Sequence, residues 1–409
     1  MSARLRPRSW LDLPADDPFG VANLPYGAFD PGDGSSRLGV RIGDRVLDLA
    51  ALERAGLVEA RGTLQAGTLN PFLSLGRPHW TAVRERLCEL LTDDAYRDRV
   101  TALVLPLADV APRLPFEVGD YVDFYSSEEH ATNLGRLFRP GSEPLLPNWK
   151  HLPIGYHGRA GTVVVSGTDI VRPCGQRKAP DAPAPTFGPS QRLDIEAEVG
   201  FVVGAPSALG TPLSTKDFPE YVFGAVLVND WSARDLQAWE YQPLGPFLGK
   251  SFATSVSAWV VPLDALAAAR VPAPEQSPPV LPYLAGDRAG YDIRIEVVWN
   301  GTTVSRPPFA GLYWTPAQQL AHMTVNGASV RAGDLYASGT VSGPRRDEVG
   351  SFIELTWGGA EPVTLADGRT RTFLEDGDTV TLTATAPGPD GAVIGFGEVV
   401  GRILPPVSP

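Results

Sequence analysis

Cysteine is scarce in this sequence, and long apolar runs are missing. The chain of 409 residues contains two cysteines, Cys88 and Cys174, too few for a disulfide framework or a cysteine-rich zinc site. No apolar stretch approaches the ~20 residues that a membrane-spanning helix needs. The opening segment "MSARLRPRSWLDLPADD" carries positive charge without an apolar stretch behind it, which fits neither a signal peptide nor a transit peptide. We therefore expect a cytoplasmic protein that does not enter a membrane.

Positive charge is also in short supply. Asp and Glu number 47 against 35 Lys and Arg, which gives a formal net charge of -12. Binding to nucleic acid requires clustered basic side chains that neutralise phosphates, and the sequence shows no basic run with interleaved aromatic residues. This balance argues against a general nucleic-acid binder. An anionic small-molecule substrate would have to find its positive charge locally.

Glycine and proline are abundant by contrast, with 43 and 40 residues, which is typical of many turns between short strands. "RLGVRIGDRVLDLAAL" predicts a hairpin that turns at Gly43–Asp44, and "DIRIEVVWNGTTVS" predicts one that turns at Asn300–Gly301. Helices are predicted at "HWTAVRERLCELL" from its apolar stripe and at "WTPAQQLAHM" from its capping box, which Thr315 begins. Prolines accumulate near residue 115, so we place a domain boundary between residues 1–115 and 116–409.

The stretch "RLDIEAEVGFVV" places an acid at every second position: Asp194, Glu196 and Glu198. Successive side chains of a strand point to opposite faces, so these three would share one side. One interpretation is an amphipathic strand with a solvated face. The other is a set of oxygen ligands for a cation, carried on a rigid element. The stretch by itself leaves both open.

Histidine is rare, and of the five residues His130 has the most suggestive surroundings. It follows Asp123 and Tyr125 in the polar segment "DYVDFYSSEEHATN". The ordinary pKa of histidine suits proton abstraction near neutral pH. A surface or core histidine without a catalytic role remains the alternative.

Hydrogen-bond donors follow a predicted strand in "VFGAVLVNDWSARDLQAWEYQPLG". The strand ends at Asp230, and a helix then places Arg234, Gln237 and Tyr241 on one face, at spacings of three and four. These donors, with Lys250 downstream, could stabilise a developing oxyanion. A solvated helix face capped by Asp230 remains the alternative.

Carboxylates thus recur at or near predicted strand ends. All-oxygen ligation favours Mg²⁺ or Ca²⁺ over zinc, and the candidate ligands are Asp123, Glu196, Glu198 and Asp230. They are spread along the sequence, so solvated strand faces remain possible at this point.

Several segments, which together cover nearly the whole chain, resemble the fumarylacetoacetate hydrolase family. They are "DYVDFYSSEEHATN", "LPNWKHLPIGYHGRAGTVVVSGT", "RLDIEAEVGFVV", "VNDWSARDLQAWEYQPLGPFLGKSF", "LYASGTVSGP" and "GSFIELTWGG". The resemblance implies a mainly β, α+β fold in two domains. A small N-terminal SH3-like β-barrel would occupy residues 1–115, and a mixed β-roll catalytic domain would occupy residues 116–409. The family resemblance also implies a homodimer.

The resemblance further implies roles for individual residues. It implies a metal site formed by Asp123, Glu196, Glu198, Asp230, Lys250 and Thr254. It implies a general base, His130, oriented by Glu354. It implies oxyanion donors at Arg234, Gln237 and Lys250. It implies substrate contacts at Tyr125, Arg139, Tyr156, Gln237, Tyr241 and Thr340.

The implied reaction is hydrolysis of a carbon–carbon bond in 4-fumarylacetoacetate, which yields fumarate and acetoacetate at the end of tyrosine and phenylalanine degradation. His130 would take a proton from water, and a Mg²⁺ or Ca²⁺ ion would hold the leaving enolate. Arg139 and the tyrosines would bind the carboxylates of this dicarboxylate β-diketone. On this basis Glu196 and Glu198 are interpreted as metal ligands, and Asp194 as the weaker member of the trio.

Two other functions compete with this interpretation. Another enzyme of the same superfamily, an acylpyruvate hydrolase or a decarboxylase/isomerase, would share the acids but would not need Tyr241, Arg139 or the long N-terminal domain. A non-enzymatic β-rich protein with a structural Ca²⁺ site would not depend on His130. The hydrolase is favoured because one chain contains the whole set of His130, Glu354, Arg234 and Lys250.

Overall fold

The structure is a computed structural model and describes residues 8–407. Residues 1–7, where the segment considered above as a targeting signal begins, lie outside the described residues. The α-helices are α1 (Leu49–Arg54), α2 (Asn70–Leu73), α3 (Arg77–Thr92), α4 (Arg97–Thr101), α5 (Glu128–Phe138), α6 (Phe218–Tyr221), α7 (Arg234–Glu240), α8 (Pro316–Thr324) and α9 (Phe352–Leu355). Within residues 8–407, no helix has the length and apolar character needed to cross a membrane.

Most strands are short, and they occur along the whole described chain. Up to residue 203 they are β1 (Tyr26–Asp30), β2 (Arg37–Ile42), β3 (Arg45–Asp48), β4 (Val104–Pro106), β5 (Ala111–Arg113), β6 (Tyr121–Phe124), β7 (Gly155–His157), β8 (Val163–Val165), β9 (Ile170–Val171), β10 (Cys174–Arg177), β11 (Thr186–Pro189), β12 (Leu193–Asp194) and β13 (Ala197–Val203). The others are β14 (Val222–Asp230), β15 (Ser232–Ala233), β16 (Thr254–Val256), β17 (Trp259–Pro262), β18 (Arg270–Pro272), β19 (Ala289–Tyr291), β20 (Arg294–Trp299), β21 (Thr302–Ser305), β22 (Leu335–Ala337), β23 (Val363–Thr364), β24 (Thr370–Arg371), β25 (Thr379–Pro387) and β26 (Val393–Leu404). Mixed sheets combined with helices make this an α+β fold.

Both helices predicted from local pattern are present. In α3 the apolar stripe is buried through Trp80, Val83, Leu87, Leu90 and Leu91. In α8 the Thr315 side chain accepts a hydrogen bond from the backbone of Gln318, and Gln318 completes the capping box. Both predictions succeed because the signals that start and orient a helix are local in sequence.

The largest sheet contains 13 strands, and the candidate site is built on its middle. Its main path is β4-β3-β2-β1-β17-β14-β13-β22-β6-β7. β13 is antiparallel to both β14 and β22, whereas β22 is parallel to β6. Every residue of β13 and β14 is buried. A polar side chain on these strands is therefore costly unless it has a partner.

The N-terminal strands extend this sheet instead of closing on themselves. β1 pairs with β2 along one edge and with β17 and β5 along the other, which places Tyr26 opposite Val260. Because β4 pairs only with β3 and β5 only with β1, two free edges remain, and the described strands form no closed barrel. The predicted SH3-like barrel is therefore not confirmed. The predicted hairpin within this region is present, because β2 and β3 pair across the turn at Gly43–Asp44.

A second sheet of five strands, in the order β21-β20-β25-β26-β9, supports the end of the chain. The predicted turn at Asn300–Gly301 joins β20 to β21, and the two residues have φ angles of 46° and 76°, the left-handed backbone that tight hairpin turns require. Trp299 stacks on Phe352 of α9, with ring centroids 4.0 Å apart and an interplanar angle of 8°. This contact fixes α9, the helix that contains Glu354, against the second sheet.

Trp80 of α3 joins the N-terminal region to the central sheet. Its ring meets Phe223 of β14 edge to face, with centroids 5.3 Å apart, and its Nε1 donates a hydrogen bond to the Leu73 carbonyl at 2.9 Å. Gly204, directly after β13, leaves room for the indole: a Cβ atom there would lie 2.2 Å from the Trp80 ring. The two regions are thus packed through one large, buried side chain.

We predict that Trp80→Ala lowers the free energy of unfolding by about 3–5 kcal/mol, because it removes this ring and leaves a cavity between the regions. Urea denaturation checks the value. Leu209→Ala is the control, since Leu209 is 84% exposed and its truncation is expected to cost less than about 1 kcal/mol. Equal losses in the two variants would contradict the proposed contribution of Trp80 to the packing.

Candidate active site

Four buried carboxylates meet in the middle of the central sheet. Each of them offers an oxygen atom, and these atoms all lie within 4.8 Å of one another: Asp123, Glu196, Glu198 and Asp230. The sheet explains the meeting, because β22 pairs with both β13 and β6 and so brings Glu198 and Asp123 close to each other. Asp230 ends β14, the other neighbour of β13. The structure therefore favours the cation-binding interpretation of these acids over solvated strand faces.

Asp194 does not belong to this cluster. Its carboxylate accepts hydrogen bonds from the backbone N–H groups of Phe352 and Ile353, at 2.7 and 3.0 Å, and from Arg234 Nε at 2.8 Å. The simple alternation of the sequence fails because the strand is interrupted: Asp194 ends β12, and β13 begins after Glu196. Asp194 instead binds the start of α9 and Arg234. On the sequence alone it also ranks as the weakest of the three candidate metal ligands in this stretch.

The four carboxylates are not equivalent electrostatically. Burial would raise the pKa of Glu196, but Lys250 and Arg234 outweigh it and hold that pKa well below its usual value. Both cations bond to Glu196 directly, Arg234 through Nη1 at 2.7 Å and Lys250 through Nζ. Burial and the neighbouring carboxylates raise the pKa of Asp123 and of Glu198 well above their usual values. Two cations thus compensate the charge of Glu196, whereas Asp123 and Glu198 have no ion-pair partner among residues 8–407.

Unpaired oxygen atoms show that these residues fit a metal ion. Asp123 Oδ1 and Glu198 Oε1 are buried without a hydrogen-bond partner in the described part of the chain. The other oxygen of Glu198 accepts a hydrogen bond from the backbone of Gly339 at 3.1 Å, which orients the carboxylate. Oxygen ligands that converge in this way suit a hard divalent cation. The cluster could therefore hold a metal ion.

Lys250 and Thr254, the other two residues expected at the metal site, contact the carboxylates. Lys250 Nζ donates to Asp230 Oδ2 at 2.9 Å, and Thr254 Oγ1 donates to Asp230 Oδ1 at 2.7 Å. Its carboxylate partners keep Lys250 protonated by raising its pKa, and a protonated ammonium has no lone pair for a metal. In this structure Lys250 therefore orients the carboxylates as a donor. Tyr156 adds a further donor to Asp230, at 3.3 Å.

His130 and Glu354 form a second unit beside the acids. His130 Nδ1 lies 2.6 Å from Glu354 Oε2, and His130 Nε2 lies 4.0 Å from Glu196 Oε1. His130 is in the first turn of α5, and its ring meets Tyr125 edge to face at 5.4 Å. With Nδ1 engaged by Glu354, the free nitrogen Nε2 faces the carboxylate cluster. The sequence prediction that these two residues act together agrees with this geometry.

Three residues that the sequence reasoning did not include complete the binding of Glu354. Its carboxylate accepts hydrogen bonds from Asn133 at 3.0 Å, Ser342 at 3.0 Å and Ser351 at 2.6 Å. Although burial would raise the pKa of Glu354, His130, Ser351 and Asn133 lower it, so the group remains an anion. The sequence contains a signal for one of these three donors, because Ser351 precedes Glu354 by three residues, the spacing of a capping box. Asn133 and Ser342 have no comparable local signal.

Arg234, Gln237 and Tyr241 lie on or directly after α7, as the sequence predicts. Arg234 is almost fully engaged, because it also donates to Gln237 Oε1 at 3.1 Å, and only its Nη2 is buried without a partner. Tyr241 stacks on Phe138, with ring centroids 6.4 Å apart. Gln237 therefore connects the buried Arg234 to the more exposed end of this helix.

The remaining predicted substrate contacts surround the same region. Arg139, directly after α5, donates from Nη2 to the Pro144 carbonyl at 2.8 Å and keeps a buried, unpaired Nε. Thr340, one residue after Gly339, has a buried hydroxyl without a partner in residues 8–407. Such unsatisfied buried groups are uncommon in folded proteins, and here they accompany the unpaired atoms of Asp123 and Glu198.

Tyr121 and Gly339 are further residues that the sequence reasoning missed. The Tyr121 hydroxyl is buried without a partner among the described residues, and burial together with the nearby acids raises its pKa well above the usual value. Gly339 has a φ of +76°, and a Cβ atom there would lie 2.1 Å from the Phe124 carbonyl oxygen. Only glycine can therefore bring its N–H to Glu198 here. Neither feature has a sequence signal beyond the residue type.

Comparison with known proteins places this site in context. The family model described as Fumarylacetoacetate (FAA) hydrolase C-terminal matches residues 121–404, and the model described as Fumarylacetoacetase N-terminal matches residues 22–115. Fumarylacetoacetase of Homo sapiens is 46% identical to this chain, covering 98% of it and 100% of the human protein. The protein of the same name from Caenorhabditis elegans is 47% identical, covering 97% and 99%.

Solved structures support the fold at much lower identity. A fumarylacetoacetate hydrolase from psychrophilic Exiguobacterium antarcticum has a TM-score of 0.56 and 16% identity, covering 93% of this chain and 99% of its own. A maleylpyruvate hydrolase from Sphingobium has a TM-score of 0.52 and 15% identity, covering 93% and 100%. At these identities the similarity concerns the fold alone.

The fold, the carboxylate cluster and the His130–Glu354 pair, together with these relatives, define the class of protein: the chain is a hydrolase with a cluster that could hold a metal ion. More specifically, it belongs to the fumarylacetoacetate hydrolase family.

We predict that divalent metal stabilises this protein more strongly as the pH rises. Because the pKa values of Asp123 and Glu198 are raised in the folded protein, their contribution to stability is present below their ordinary values near 4 and is lost as the pH rises through the raised values. A cation at the cluster offsets this loss. The increase in melting temperature on adding MgCl₂ or CaCl₂ should therefore be larger at pH 8.5 than at pH 5.5.

Thermal denaturation of metal-stripped protein, with and without the salt, measures this difference. Glu198→Gln should reduce the increase at high pH, whereas the exposed Glu59→Gln serves as a control that should not. At a concentration of 100 times the dissociation constant the metal should contribute about 2.7 kcal/mol. An increase that is equal at both pH values, or larger at pH 5.5, would count against metal binding by these carboxylates.

Proposed function

We propose that this protein hydrolyses 4-fumarylacetoacetate to fumarate and acetoacetate in tyrosine and phenylalanine degradation. The observation that carries the proposal is the free Nε2 of His130, held 4.0 Å from a cluster of four carboxylates while Nδ1 is bound to Glu354. This arrangement combines a proton acceptor with a carboxylate cluster that could hold a metal ion. Hydrolysis of a carbon–carbon bond in a β-diketone uses both, the first to activate water and the second to stabilise the enolate that leaves. The names of the curated relatives, at 45–47% identity over nearly the full chain, support the choice of substrate.

His130 is the general base in this proposal. Its Nε2 takes a proton from water, which then attacks the carbonyl next to the bond that breaks. Glu354 holds the ring through Nδ1 and stabilises the imidazolium that forms. Since Asn133, Ser342 and Ser351 all donate to Glu354, this carboxylate stays ionised and does not take the proton itself.

The oxyanion of the tetrahedral intermediate needs donors that are already in place. Arg234 Nη2 is buried and has no partner among the described residues. Gln237 Oε1 accepts a hydrogen bond from Arg234, and Lys250 Nζ donates to Glu196 and Asp230. In comparable sites, removing one such donor costs about 3–4 kcal/mol of transition-state stabilisation. We assign Arg234, Gln237 and Lys250 to this role.

The substrate is a dicarboxylate, so it needs positive charge and polar contacts outside the acidic cluster. We assign these contacts to Tyr125, Arg139, Tyr156, Gln237, Tyr241 and Thr340. The unpaired Nε of Arg139 and the unpaired hydroxyl of Thr340 support the assignment. The ring of Tyr125 lies edge to face against His130, which places this proposed contact beside the base.

Mg²⁺ or Ca²⁺ is the proposed cofactor, with Asp123, Glu196, Glu198 and Asp230 as its ligands. When bound, such an ion supplies Lewis acidity toward the diketone oxygens and stabilises the enolate that leaves. The chain prepares the site by holding Asp230 with Lys250 and Thr254, and Glu198 with Gly339.

The organisation of the chain in this proposal follows the sequence prediction. Residues 1–115 form an N-terminal domain, for which an SH3-like core remains the prediction, and residues 116–409 form a β-roll catalytic domain in a cytoplasmic enzyme. The limits of the two family models, 22–115 and 121–404, support this division.

We also predict a homodimer. Exposed apolar side chains occur at the end of α7 and directly after it, namely Trp239, Leu244, Phe247 and Leu248, and apolar patches of this kind often mark protein interfaces. Sedimentation velocity should give twice the chain mass of 43.7 kDa. A single species at the chain mass across micromolar concentrations would disprove the dimer.

We predict that the purified protein consumes 4-fumarylacetoacetate, followed by its ultraviolet absorbance, and that EDTA removes the activity until Mg²⁺ or Ca²⁺ is added. His130→Ala should lower kcat by roughly 10²–10⁴-fold, because it removes the general base. His79→Ala, in α3 of the N-terminal region, is the matched control and should keep full activity.

Two outcomes would contradict this proposal. Full turnover in His130→Ala would remove the general base from the mechanism. Faster turnover of acylpyruvates than of 4-fumarylacetoacetate by the folded, metal-loaded protein would indicate a related hydrolase with a different substrate.

A further inference from the structure

Asp194 is a fully buried carboxylate that the mechanism proposed above does not use. The residue is 0% exposed, and four donors converge on its side chain. Oδ1 accepts hydrogen bonds from the backbone N–H groups of Ile195 at 2.8 Å and Phe352 at 2.7 Å. Oδ2 accepts from the backbone N–H of Ile353 at 3.0 Å and from Arg234 Nε at 2.8 Å. An ionised carboxylate has about four acceptor sites, so these donors saturate the group.

Two of these donors belong to α9, the short helix that contains Glu354. Phe352 and Ile353 are the first two residues of α9, and the first N–H groups of a helix have no partner inside it. Asp194 accepts from both of them. Glu354 follows directly, and its Oε2 lies 2.6 Å from His130 Nδ1. The position of Glu354 relative to His130 therefore depends in part on Asp194.

Another donor is the side chain of Arg234, at the start of α7. A guanidinium group is rigid and planar, so contacts to two of its nitrogen atoms fix the position of the third. Nε donates to Asp194, and Nη1 donates to Glu196 at 2.7 Å and to Gln237 at 3.1 Å. Nη2, the proposed oxyanion donor, has no partner among residues 8–407. Asp194 is thus one of the groups that determine where Nη2 lies.

We propose that Asp194 is a positioning residue, whose single carboxylate holds the oxyanion donor Arg234 and the base-orienting Glu354 in a fixed relation to each other. The proposal rests on the proposed function, which gives Arg234 and Glu354 their roles. Within residues 8–407 these two residues share no hydrogen bond, and Asp194 links them by bonding to Arg234 on one side and to the first turn of α9 on the other.

This role requires a carboxylate at position 194. Asparagine has the same shape, but it replaces one oxygen atom by an NH₂ group. Four donors surround Asp194, so the NH₂ group would face donors on whichever side it lies. We therefore expect Asp194→Asn to displace α9 and Arg234 relative to each other, and a misplacement of about 1 Å can lower the rate of an enzyme about 10²-fold.

The kinetic test of Asp194→Asn is made in saturating MgCl₂, so that weaker metal binding does not lower the rate. For 4-fumarylacetoacetate, kcat should fall about 10²-fold, while KM should change less than about threefold, because Asp194 is not among the proposed substrate contacts. In the Arg234→Gln background the same change should cost only about tenfold, since the effects of residues that act as a unit are not additive.

Asp235→Asn is the matched control. Asp235 is the next residue of α7, and its carboxylate also accepts two hydrogen bonds, from Ser190 Oγ at 2.6 Å and from the backbone N–H of Gln191 at 2.8 Å. These partners lie directly before β12 and not on α9. The control therefore makes the same chemical change beside Arg234 and should leave kcat within about twofold of its normal value.

An NMR measurement tests the positioning without substrate. In protein labelled with ¹⁵N-histidine, the proton on Nδ1 of His130 should give a strongly downfield signal, because its hydrogen bond to Glu354 is short and charge-assisted. The signal is assigned by its loss in His130→Ala. Asp194→Asn should shift it, since α9 moves, and Asp235→Asn should leave it in place.

A second variant keeps the proposal testable if Asp194→Asn does not fold. Arg234→Lys keeps the positive charge but lacks the planar group that binds Asp194 and Glu196 together. Hydrogen exchange at the N–H groups of Phe352 and Ile353 should then become about tenfold faster, although Arg234 does not contact them, because their acceptor Asp194 has lost its partner.

A lower kcat with a nearly constant KM, and a shifted His130 signal in Asp194→Asn but not in Asp235→Asn, support the proposal. Equal effects of the two variants, an unchanged signal in Asp194→Asn, or unchanged exchange in Arg234→Lys overturn it. If the protein does not turn over 4-fumarylacetoacetate, the proposed function fails, but the NMR and exchange measurements need no substrate and still decide whether Asp194 couples Arg234 to α9.

Discussion

The structure of this protein depends on the burial of excess negative charge. Four carboxylates lie with oxygen atoms within 4.8 Å of one another in a sheet whose central strands are fully buried. Such an arrangement is costly, because each carboxylate loses its hydration and repels its neighbours. Lys250 and Arg234 compensate Glu196, and Lys250 also compensates Asp230. Asp123 and Glu198 keep oxygen atoms without a hydrogen-bond partner among residues 8–407, so the described residues alone do not satisfy this cluster, which could hold a metal ion.

The rest of the site is organised around this constraint. Strands hold the carboxylates rigidly, whereas the proposed base is on a helix, and its partner Glu354 is held by α9. Glu354 is also a buried carboxylate. Both of its oxygen atoms have hydrogen-bond partners, which are His130, Asn133, Ser342 and Ser351. Glu354, which orients the proposed base, therefore has hydrogen-bond donors for both of its oxygen atoms. Asp123 and Glu198 each keep one oxygen atom without a donor among the described residues. Asp194 connects the carboxylate cluster to the helix that contains Glu354, since it binds both Arg234 and the start of α9.

Local sequence signals were sufficient for local structure. The hairpins at Gly43–Asp44 and Asn300–Gly301 and the capped helix after Thr315 were all predicted, because turn and cap residues act over a few positions. The alternation of acids in "RLDIEAEVGFVV" was a weaker guide. A break between β12 and β13 sends Asp194 to α9 and leaves Glu196 and Glu198 at the cluster. The SH3-like barrel was not confirmed, because β4 leaves an open edge and β1 joins the larger sheet through β17, a strand far away in sequence.

By itself, the sequence determined the residue types, their order and the family resemblance, and these were enough to name the candidate ligands and the His130–Glu354 pair. Only the tertiary structure decided which groups are satisfied and which are not. The donors to Glu354, the ion pairs of Arg234 and Lys250, and the approach of Gly339 to Glu198 all depend on contacts between segments distant in the chain. Hydrogen bonds and charge pairs form between neighbours in space, and the pattern of residues along a chain does not record those neighbours until the sheet brings them together.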